Sequence, residues 1–344
     1  MNQIKVALLA FGGIAQSHKH GYDILEKEGF PVKLVAICDI DETRFHSEQE
    51  INIGSVSKGS LDGIGLYTDL DEMLEKEDFD TVDICLPTYL HKEYTVKLLR
   101  AGKNVQCEKP MSLSYADCEE MLAVAKECGK KLMIGQCLHF HESYDFLRKC
   151  VSDGRFGKLR NISLERLSAL PAWGYDGWYR DIDRSGGAPF DLHIHDIDIV
   201  NYILGKPLAL SSVTIDATMP RQYVNTRLFY DGATAFVTAS FDESATAGFK
   251  MAYRARFDTA SVIFEGGAVK VFPDDKALPS YEVEGTRDCE RKDYMAEEIR
   301  TMAYLVGDPD FVNEINTPDG AASSIFLIEK IIESASRSGE LIEL

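Results

Sequence analysis

Short apolar runs alternate with stretches of helical periodicity over roughly the first 135 residues. This alternation is typical of a parallel sheet covered by helices. The predicted strands are residues 4–10, 32–38, 81–86, 104–107 and 131–135, and the predicted helices are residues 14–28, 69–75, 91–101 and 114–128. Three glycines, Gly29, Gly102 and Gly129, stand where helices end, a position that favours a left-handed backbone. Residues 54–65 are rich in Gly and Ser and predict a surface loop.

The pattern changes after about residue 155, where longer runs alternate apolar and polar residues. Such runs predict a mainly antiparallel sheet, with strands at residues 159–170, 208–217, 226–230, 234–241, 248–257 and 261–264. Two helices, residues 294–306 and 319–336, close the chain. We therefore predict an α/β protein: a doubly wound parallel sheet in residues 1–130, then an α+β domain with a large, mainly antiparallel open sheet in residues 131–344.

Composition narrows the class of protein. A chain of 344 residues with 45% hydrophobic residues is large enough for two domains. A net charge of -19 without a basic stripe predicts no nucleic-acid partner. No run approaches the roughly 18 apolar residues of a membrane span, and the first apolar run is too short for a signal peptide. We expect a cytoplasmic protein that does not bind membranes.

The cysteines agree with a reducing compartment. Eight of them, at positions 38, 85, 107, 118, 128, 137, 150 and 289, are spread singly, and no two form a C-x-x-C pair. Several stand inside apolar runs, so we predict small buried core residues rather than disulfides or a metal site.

The turn after the first strand carries a nucleotide-binding signal. In the G-x-G-x-x-G/A pattern, Ala10 takes the first slot, Gly12 the second and Ala15 the third. Gly12 would let the backbone approach a pyrophosphate at the helix N-terminus, and Ala15 would let helix and sheet pack closely. Alanine at position 10 is tolerable if its φ stays negative. On this motif alone, an ordinary tight strand-to-helix turn explains the residues equally well.

The end of the second strand strengthens the nucleotide interpretation. Asp39 stands where a carboxylate is expected to accept bonds from the adenosine ribose, and it would repel a 2′-phosphate. Ile40 follows it, and Arg44 is the one nearby cation that could weaken this preference. A helix N-cap is the alternative role for Asp39. We predict NAD, preferred over NADP, with contacts from the turn residues Phe11, Gly12, Gly13 and Ile14 and from Asp39.

Two further strands end in polar motifs. Leu86-Pro87-Thr88 leads to His91, and Glu108-Lys109-Pro110 follows the next strand. Doubly wound folds bind ligands at the carboxyl ends of their strands, so we predict that these residues, from Leu86, Pro87, Thr88 and His91 to Glu108 and Lys109, contact the cofactor. A solvated Glu108–Lys109 charge pair remains the plain alternative.

In combination, these motifs closely resemble the Gfo/Idh/MocA oxidoreductases, the family of glucose-fructose oxidoreductase and inositol dehydrogenase. The resemblance covers nearly the whole chain. It includes the motifs above and His18, the tracts at residues 178–181 and 186–198, Tyr294 with Glu298, and the closing residues 334–339. It implies a hydride transfer between a nicotinamide and a secondary alcohol or ketone of a sugar, inositol or related polyol.

The resemblance also implies catalytic roles. Lys109 would lie at the nicotinamide and the reacting hydroxyl, His195 would be the general base, and Asp191 would bind substrate or orient the pair. If residues 187–204 form a helix, Asp191, His195 and Asp198 share one face at i, i+4 and i+7, while His193 and Asp196 point elsewhere. Without Lys109, a core histidine would be the better interpretation of His195.

Three features complete the predicted substrate site. Residues 136–142 stand where relatives carry an Arg-Phe-Asn/Asp-Pro run, and we place His139 among the substrate-binding residues with Lys109, Asp191 and His195. Trp178 ends an acidic, aromatic loop that could stack on a sugar ring or could simply be packed. The H-x-H-D-x-D run is rich in metal ligands, but two histidines two positions apart on a helix diverge by about 200°. We therefore predict no metal.

Two other functions remain open. A cofactor-retaining oxidoreductase or epimerase-like enzyme would reduce and reoxidise its substrate without releasing nicotinamide. A non-catalytic regulator that senses dinucleotide is also compatible with the fold, although such a protein would be free to lose Lys109, Asp191 and His195.

Apolar and polar positions alternate regularly in residues 208–272, so one face of the predicted C-terminal sheet carries apolar side chains that need to be covered. We therefore predict a homodimer or homotetramer that forms through this sheet.

Overall fold

The computed structural model describes residues 1–48, 57–283 and 292–344, and the backbone of residues 50, 51, 54 and 55. The chain forms two compact units. We call residues 1–137, 172–178 and 293–322 the N-terminal unit, and residues 138–171, 179–292 and 323–344 the C-terminal unit. Residues 293–322 thus fold with the N-terminal unit, although they come after most of the other unit in sequence.

A parallel sheet forms the centre of the N-terminal unit. The strands are β1 Ile4–Leu9, β2 Val32–Cys38, β3 Glu50–Ile51, β4 Gly54–Ser55, β5 Gly65–Tyr67, β6 Thr81–Ile84, β7 Asn104–Glu108 and β8 Leu132–Gly135. Among the described residues, six of them pair in the order β5-β2-β1-β6-β7-β8. The predicted doubly wound sheet is therefore confirmed. Its strands are parallel, and the order in which successive strands are added to the sheet reverses beside β1. The predicted loop at residues 54–65 is wrong at both ends, because short strands with few apolar residues give little periodic signal.

A nine-stranded sheet dominates the described part of the C-terminal unit. Its strands are β9 Leu159–Leu167, β10 Ala209–Ile215, β11 Tyr223–Tyr230, β12 Ala233–Ser240, β13 Lys250–Phe257, β14 Ala260–Glu265, β15 Ala268–Pro273, β16 Tyr281–Glu282 and β17 Ile342–Glu343. They lie in the order β16-β15-β14-β13-β9-β12-β11-β10-β17. Only the β9–β12 pair in this order is parallel. The predicted mainly antiparallel open sheet is confirmed.

The helices are α1 Gly13–Lys27, α2 Leu70–Lys76, α3 His91–Arg100, α4 Tyr115–Cys128, α5 Glu142–Asp153, α6 Ile182–Ser185, α7 Ile194–Leu204, α8 Tyr294–Gly307 and α9 Pro318–Ser336. Helix α5 was not among the predicted helices. Within the described ranges, none of these helices has the length and apolar character required to cross a membrane. Five of the seven described cysteines are buried, and Cys289 lies outside the described residues.

Helix α1 is held against both the sheet and α8. Its apolar side chains, such as Leu25, pack with Leu8 of β1 and Ile299 of α8 in one buried core. Burial of a side chain of this size contributes roughly 1.5–3 kcal/mol. A Cβ atom at Gly21 would lie only 2.8 Å from the Cδ1 atom of Ile299, so the two helices approach closely because position 21 is glycine. This packing brings α8 beside the buried face of α1.

Candidate active site

The turn between β1 and α1 has the geometry of a phosphate-binding turn. Gly12 is extended and precedes the first helical residue, Gly13, so the helix N-terminus carries no capping side chain. A Cβ atom at position 12 would lie 3.4 Å from Nη1 of Arg44. Backbone N–H groups at a helix N-terminus attract anions, so the Phe11–Ile14 turn fits a pyrophosphate.

Asp39 is buried and joins the end of β2 to this turn. Its Oδ2 atom accepts a hydrogen bond from the backbone N–H of Phe11 at 2.6 Å, and its Oδ1 atom accepts one from the N–H of Asp41 at 2.8 Å. Asp41, rather than Asp39, caps the following 3₁₀ helix, Glu42–His46. The N-cap alternative for Asp39 is therefore wrong. Nε of Arg44 lies 4.0 Å from Oδ2 of Asp39.

Ala10 departs from expectation. Its φ is +76°, whereas a tolerable alanine at this slot was expected to keep φ negative. The turn thus has the left-handed backbone that the usual glycine would provide, at an alanine whose Cβ resists it. The N–H of Ala10 donates to the carbonyl of Cys38 at 2.8 Å, which shows how β2 holds the turn in this conformation.

The loop after β6 contains the other predicted cofactor residues. Leu86 and Pro87 precede a 3₁₀ helix, Thr88–Leu90, and His91 begins α3. The His91 ring is buried, with Nδ1 2.8 Å from the carbonyl oxygen of Pro110 and Nε2 2.7 Å from that of Leu86. Both ring nitrogens therefore contact backbone, which favours a role in joining the two loops over direct contact with a cofactor.

Glu108 and Lys109 lie at the carboxyl end of β7. Oε1 of Glu108 lies 2.8 Å from Nε2 of His18, and Oε2 accepts a hydrogen bond from the backbone N–H of Lys109 at 3.0 Å. Glu108 is buried whereas Lys109 is partly exposed. The plain alternative of a solvated charge pair is thus wrong for Glu108, which is an internal carboxylate.

Further titratable groups surround His18 inside the N-terminal unit. Nδ1 of His18 lies 2.8 Å from Oδ2 of Asp83, which also accepts a hydrogen bond from the hydroxyl of Tyr22. Burial is the largest influence on the ring and opposes its charge, but the interactions with Asp83 and Cys85 together outweigh burial and hold the pKa of His18 well above its usual value. Burial, reinforced by the Glu108 carboxylate, raises the pKa of Glu298 well above its ordinary range. Oε1 of Glu298 accepts a hydrogen bond from Nε2 of Gln106 at 3.0 Å.

Proximity alone makes part of this cluster resemble a metal site. His18 lies with Asp83 and Cys85, and with Glu108 and Glu298, within the spacing of metal ligands. Both His18 nitrogens are already bonded to carboxylates, however, and burial raises the pKa of the Cys85 thiol to about 12. The donor set fits a proton-sharing cluster better than a cation site.

In the C-terminal unit, the segment with the predicted acid and base has a π turn. The helix does not begin at Gly187, whose φ is +73°; a π-helical turn, Pro189–His193, leads directly into α7. The predicted regular helix over residues 187–204 is therefore wrong in its first part. Within residues 185–200, Asp191 and His195 are the two that are not buried, so they form one accessible edge of an otherwise internal segment. Single π turns inside helices are frequent at functional sites.

Asp198 does not share that accessible edge. Its Oδ2 atom lies 2.5 Å from Nε2 of His139, and its Oδ1 atom accepts a hydrogen bond from the hydroxyl of Ser324 at 2.8 Å. Within α7, Asp198 still follows His195 at the i, i+3 spacing of a regular helix, so it differs from His195 in being buried rather than in helical register. The His139 ring also stacks on Tyr202 at 4.4 Å. These contacts give His139 an internal partner.

The other polar residues of the run, His193 and Asp196, are buried. Nε2 of His193 lies 2.9 Å from the hydroxyl of Thr226, and burial lowers the pKa of His193 to about 3. Asp196 accepts two hydrogen bonds from the guanidinium of Arg166, and burial raises its pKa despite that cation. These pairs hold the helix against the sheet.

Trp178 is buried, with 7% of its surface exposed. Of the two interpretations of its loop, this burial favours a packed indole over one free to stack on a sugar, whereas Tyr175 of the same loop is exposed.

Arg166 and Asp83, which are the partners of Asp196 and His18, were not identified from the sequence. Asp83 is the one charged residue of the predicted strand 81–86, and Arg166 takes an apolar position in the alternating run 159–170. A charged residue at a buried strand position is the signal that could have found them, because such a group requires an internal partner.

The arrangement defines a dinucleotide-binding α/β protein with a second, sheet-rich unit. Two family models match the chain: the oxidoreductase family with an NAD-binding Rossmann fold over residues 4–136, and the GFO/IDH/MocA C-terminal domain over residues 144–287. The chain belongs to this family.

Individual relatives support the same placement. Over 142 residues, the chain is 37% identical to the 2,7-anhydro-N-acetylneuraminate hydratase of Mediterraneibacter gnavus, a match that covers 40% of this chain and 37% of that protein. It is 29% identical over 218 residues to the myo-inositol 2-dehydrogenase of Thermotoga maritima, covering 62% and 60%. Matches to these curated relatives thus span less than two thirds of their lengths. In fold, the chain resembles a levoglucosan dehydrogenase solved with NADH and L-sorbose, at a TM-score of 0.84, 16% identity and coverage of 100% and 99%.

Proposed function

We propose that this protein is an NAD-dependent dehydrogenase that acts on a secondary alcohol of a sugar, inositol or related polyol. The observation that carries the proposal is that, within residues 185–200, only the side chains of Asp191 and His195 are partly exposed to solvent. The same chain has a nucleotide-binding turn and places Lys109 at the end of a strand. An acid and an imidazole that stay accessible in an otherwise buried segment are candidates for a general base and its partner.

The residues for the cofactor come from the N-terminal unit. The N–H groups of the Gly12–Ile14 turn would hold the pyrophosphate, and the Asp39 carboxylate would accept hydrogen bonds from the ribose. We propose a preference for NAD over NADP because Asp39 would repel a 2′-phosphate. When bound, the nicotinamide supplies the acceptor for a hydride.

The chain's own residues supply proton transfer and electrostatics. A His195 imidazole can take the proton of the substrate hydroxyl near neutral pH. The ammonium of Lys109 stabilises the negative charge that develops on the oxygen, and Asp191 orients the substrate or the imidazole. We propose that these three side chains act on the same hydroxyl. His139 and Trp178 remain predicted substrate residues, although their internal contacts favour supporting roles.

The substrate class rests on the relatives. They include proteins named for myo-inositol and levoglucosan, which are both polyhydroxylated rings. The experiment is a panel of inositols, aldoses, ketoses and anhydrosugars with NAD and with NADP, followed at the absorbance of the reduced nicotinamide. Stoichiometric NADH from a member of the panel supports the proposal. Tight NAD binding with no turnover on any member would instead favour the dinucleotide-sensing regulator.

A second candidate is a cofactor-retaining enzyme. It is favoured by the similarity to a protein named a hydratase, because adding water to a substrate involves no net oxidation. Such an enzyme would carry nicotinamide through purification and convert substrate without accumulating NADH. Absorbance of the denatured protein and product analysis without added NAD distinguish this case from a dehydrogenase.

We also propose self-association through the open sheet. Val213, Ile215, Phe236 and Phe272 lie on strands of this sheet with 40–54% of their surface exposed. Strand pairing places them on one face, because the residues that pair across the strands point the same way. Exposed apolar residues grouped on one face are typical of an interface. The cytoplasm remains the predicted compartment, on the spacing of the cysteines.

A further inference from the structure

His18 is a buried imidazole that the proposed hydride transfer does not use. It lies in the second turn of α1, is fully buried, and is flanked by two carboxylates from two different strands. Nδ1 lies 2.8 Å from Oδ2 of Asp83, and Nε2 lies 2.8 Å from Oε1 of Glu108. A ring held on both sides by acids connects the interior of the unit to the strand end that carries Lys109.

The contacts and the pKa of the ring together indicate where its protons lie. The backbone N–H of Lys109 donates to Oε2 of Glu108 at 3.0 Å, and the Tyr22 hydroxyl donates to Oδ2 of Asp83 at 2.9 Å. The raised pKa of His18 points to the imidazolium, which can donate from both nitrogens, one hydrogen bond to Oε1 of Glu108 and one to Oδ2 of Asp83.

Every element packed around the ring is consistent with this charge. From β6 and the residue after it come Asp83 and Cys85, and burial keeps the Cys85 thiol protonated, with a pKa of about 12. From β7 comes Glu108, and from α8 comes Glu298, whose pKa burial raises well above its ordinary range. From α1 itself comes Tyr22, whose pKa burial raises further. One cation thus lies between two carboxylates, so the buried cluster is a charge-assisted network.

We infer that His18 is a positioning residue for Lys109. The imidazolium holds the Glu108 carboxylate in the orientation in which Oε2 accepts the Lys109 N–H, and so fixes the backbone from which the Lys109 side chain extends. This inference rests on the proposed function, because the position of Lys109 matters only if its ammonium acts on substrate. Displacing such a group by about 1 Å costs up to roughly 10²-fold in rate.

Loss of the ring proton has a defined consequence. A neutral ring donates from one nitrogen only, so one carboxylate loses its hydrogen bond. Where the remaining proton stays on Nδ1, that carboxylate is Glu108, which is then free to turn. Turnover should therefore fall on the alkaline side as His18 titrates. NAD affinity should not follow, since Gly12 and Asp39 make no hydrogen bond to the cluster among the contacts of the described residues.

The first test uses the full-length protein without substrate. Ring ¹⁵N spectra of a histidine-labelled sample are recorded from pH 6 to 10, and His18→Gln identifies the His18 signals. His20→Gln is the matched control, because His20 lies on the same helix and is exposed. We expect His18 to stay doubly protonated at pH 8. A neutral His18 ring at pH 8 would overturn the inference.

The second test measures the effect on Lys109. Amide exchange of Lys109 is followed in a ¹⁵N-lysine sample, with Lys109→Arg to assign the signal. His18→Gln should accelerate this exchange about 10-fold, as expected on loosening a hydrogen bond to a charged acceptor. It should also lower kcat by up to about 10²-fold, on the panel member that the wild type oxidises fastest, and leave the Kd for NAD unchanged. His20→Gln should match the wild type in all three.

The outcomes separate the inference from the proposed function. If Lys109→Ala abolishes turnover but His18→Gln changes neither kcat nor the Lys109 amide, His18 does not position Lys109 and the dehydrogenase proposal stands. If Lys109→Ala is fully active, the proposed function is wrong, while amide exchange still reports whether His18 holds Glu108. If His18→Gln does not fold, the wild type decides: Lys109 exchange and the alkaline fall of kcat should share the pKa of the His18 ring, and different pKa values would overturn the inference.

Discussion

The Asp39 carboxylate accepts a 2.6 Å hydrogen bond from the backbone N–H of Phe11. This bond joins the end of β2 to the turn that precedes α1, so one buried side chain both shapes the nucleotide turn and stands where the ribose is expected. A second bond, from the N–H of Asp41, fixes the other carboxylate oxygen. The orientation of Asp39 is therefore set before any cofactor binds, which is the basis of the first prediction.

NAD should bind about 10-fold or more tightly than NADP, a difference of about 1.4 kcal/mol, because Asp39 meets a 2′-phosphate with like charge. Arg44 lies 4.0 Å from Asp39 and is the cation that could offset this repulsion. Arg44→Ala should widen the preference and Asp39→Asn should narrow it. Fluorescence titration of both cofactors measures the ratio, and equal or tighter NADP binding by the wild type would refute the prediction.

Ala10→Gly should stabilise the protein by about 1 kcal/mol, because glycine adopts a φ of +76° without the steric cost that alanine bears. Denaturant unfolding followed at several wavelengths measures the change. Ala15→Gly is the control: Ala15 is buried in α1, and the same loss of a methyl group there should destabilise by about 1 kcal/mol. A loss of stability in both variants would show that the turn at Ala10 is unstrained.

Glu298→Gln should raise stability more at pH 8 than at pH 5. The pKa of folded Glu298 lies above its unfolded value of 4.5, so the folded state holds a proton that the unfolded state releases. That linkage makes the wild type less stable as pH rises from 4.5 toward the folded pKa. An amide cannot ionise, so the variant should gain about 1–3 kcal/mol over the wild type at pH 8. Glu297→Gln, at a partly exposed neighbour, should show no such gain, and an equal pH dependence in wild type and Glu298→Gln would contradict the linkage.

Phe236→Glu should convert the predicted dimer or tetramer to smaller species. Phe236 is exposed on β12, and its ring lies 5.4 Å from the guanidinium of Arg227 on the neighbouring strand. Even beside Arg227, a carboxylate at this point would replace an apolar contact and would have to be desolvated in an interface. Light scattering at micromolar concentration measures the mass, with Val312→Glu, an exposed apolar residue of the N-terminal unit, as control. A monomeric wild type would refute the interface.

The sequence predicted most of the fold, because both sheets come from regular periodicity. Strands such as Val32–Cys38 show it over seven residues, whereas β5 has only three residues and was not predicted as a strand. The backbone of Ala10 was mispredicted for a different reason. Its φ depends on the bond from its N–H to Cys38, a contact between residues that are 28 positions apart. Residue type alone could not reveal that constraint.

The candidate site was predicted less completely than the fold. The accessible edge of Asp191 and His195 agrees with the expected spacing, but Asp198 is buried against His139, and the expected regular helix begins with a π turn at Pro189–His193. No periodicity signals a single wider turn. The partners of His18 were also beyond sequence reasoning, since Asp83 and Glu108 reach it from strands that only the sheet order brings together.

The central claim is that Lys109, Asp191 and His195 act together on one hydroxyl, and turnover of single and double variants tests it most directly. Lys109→Ala and His195→Ala should each lower kcat by roughly 10² to 10⁴ while the Kd for NAD stays near the wild-type value. The double variant should be little worse than either single one, because groups that act as a unit are not additive. Full activity in either single variant, or multiplicative losses in the double variant, would contradict the account.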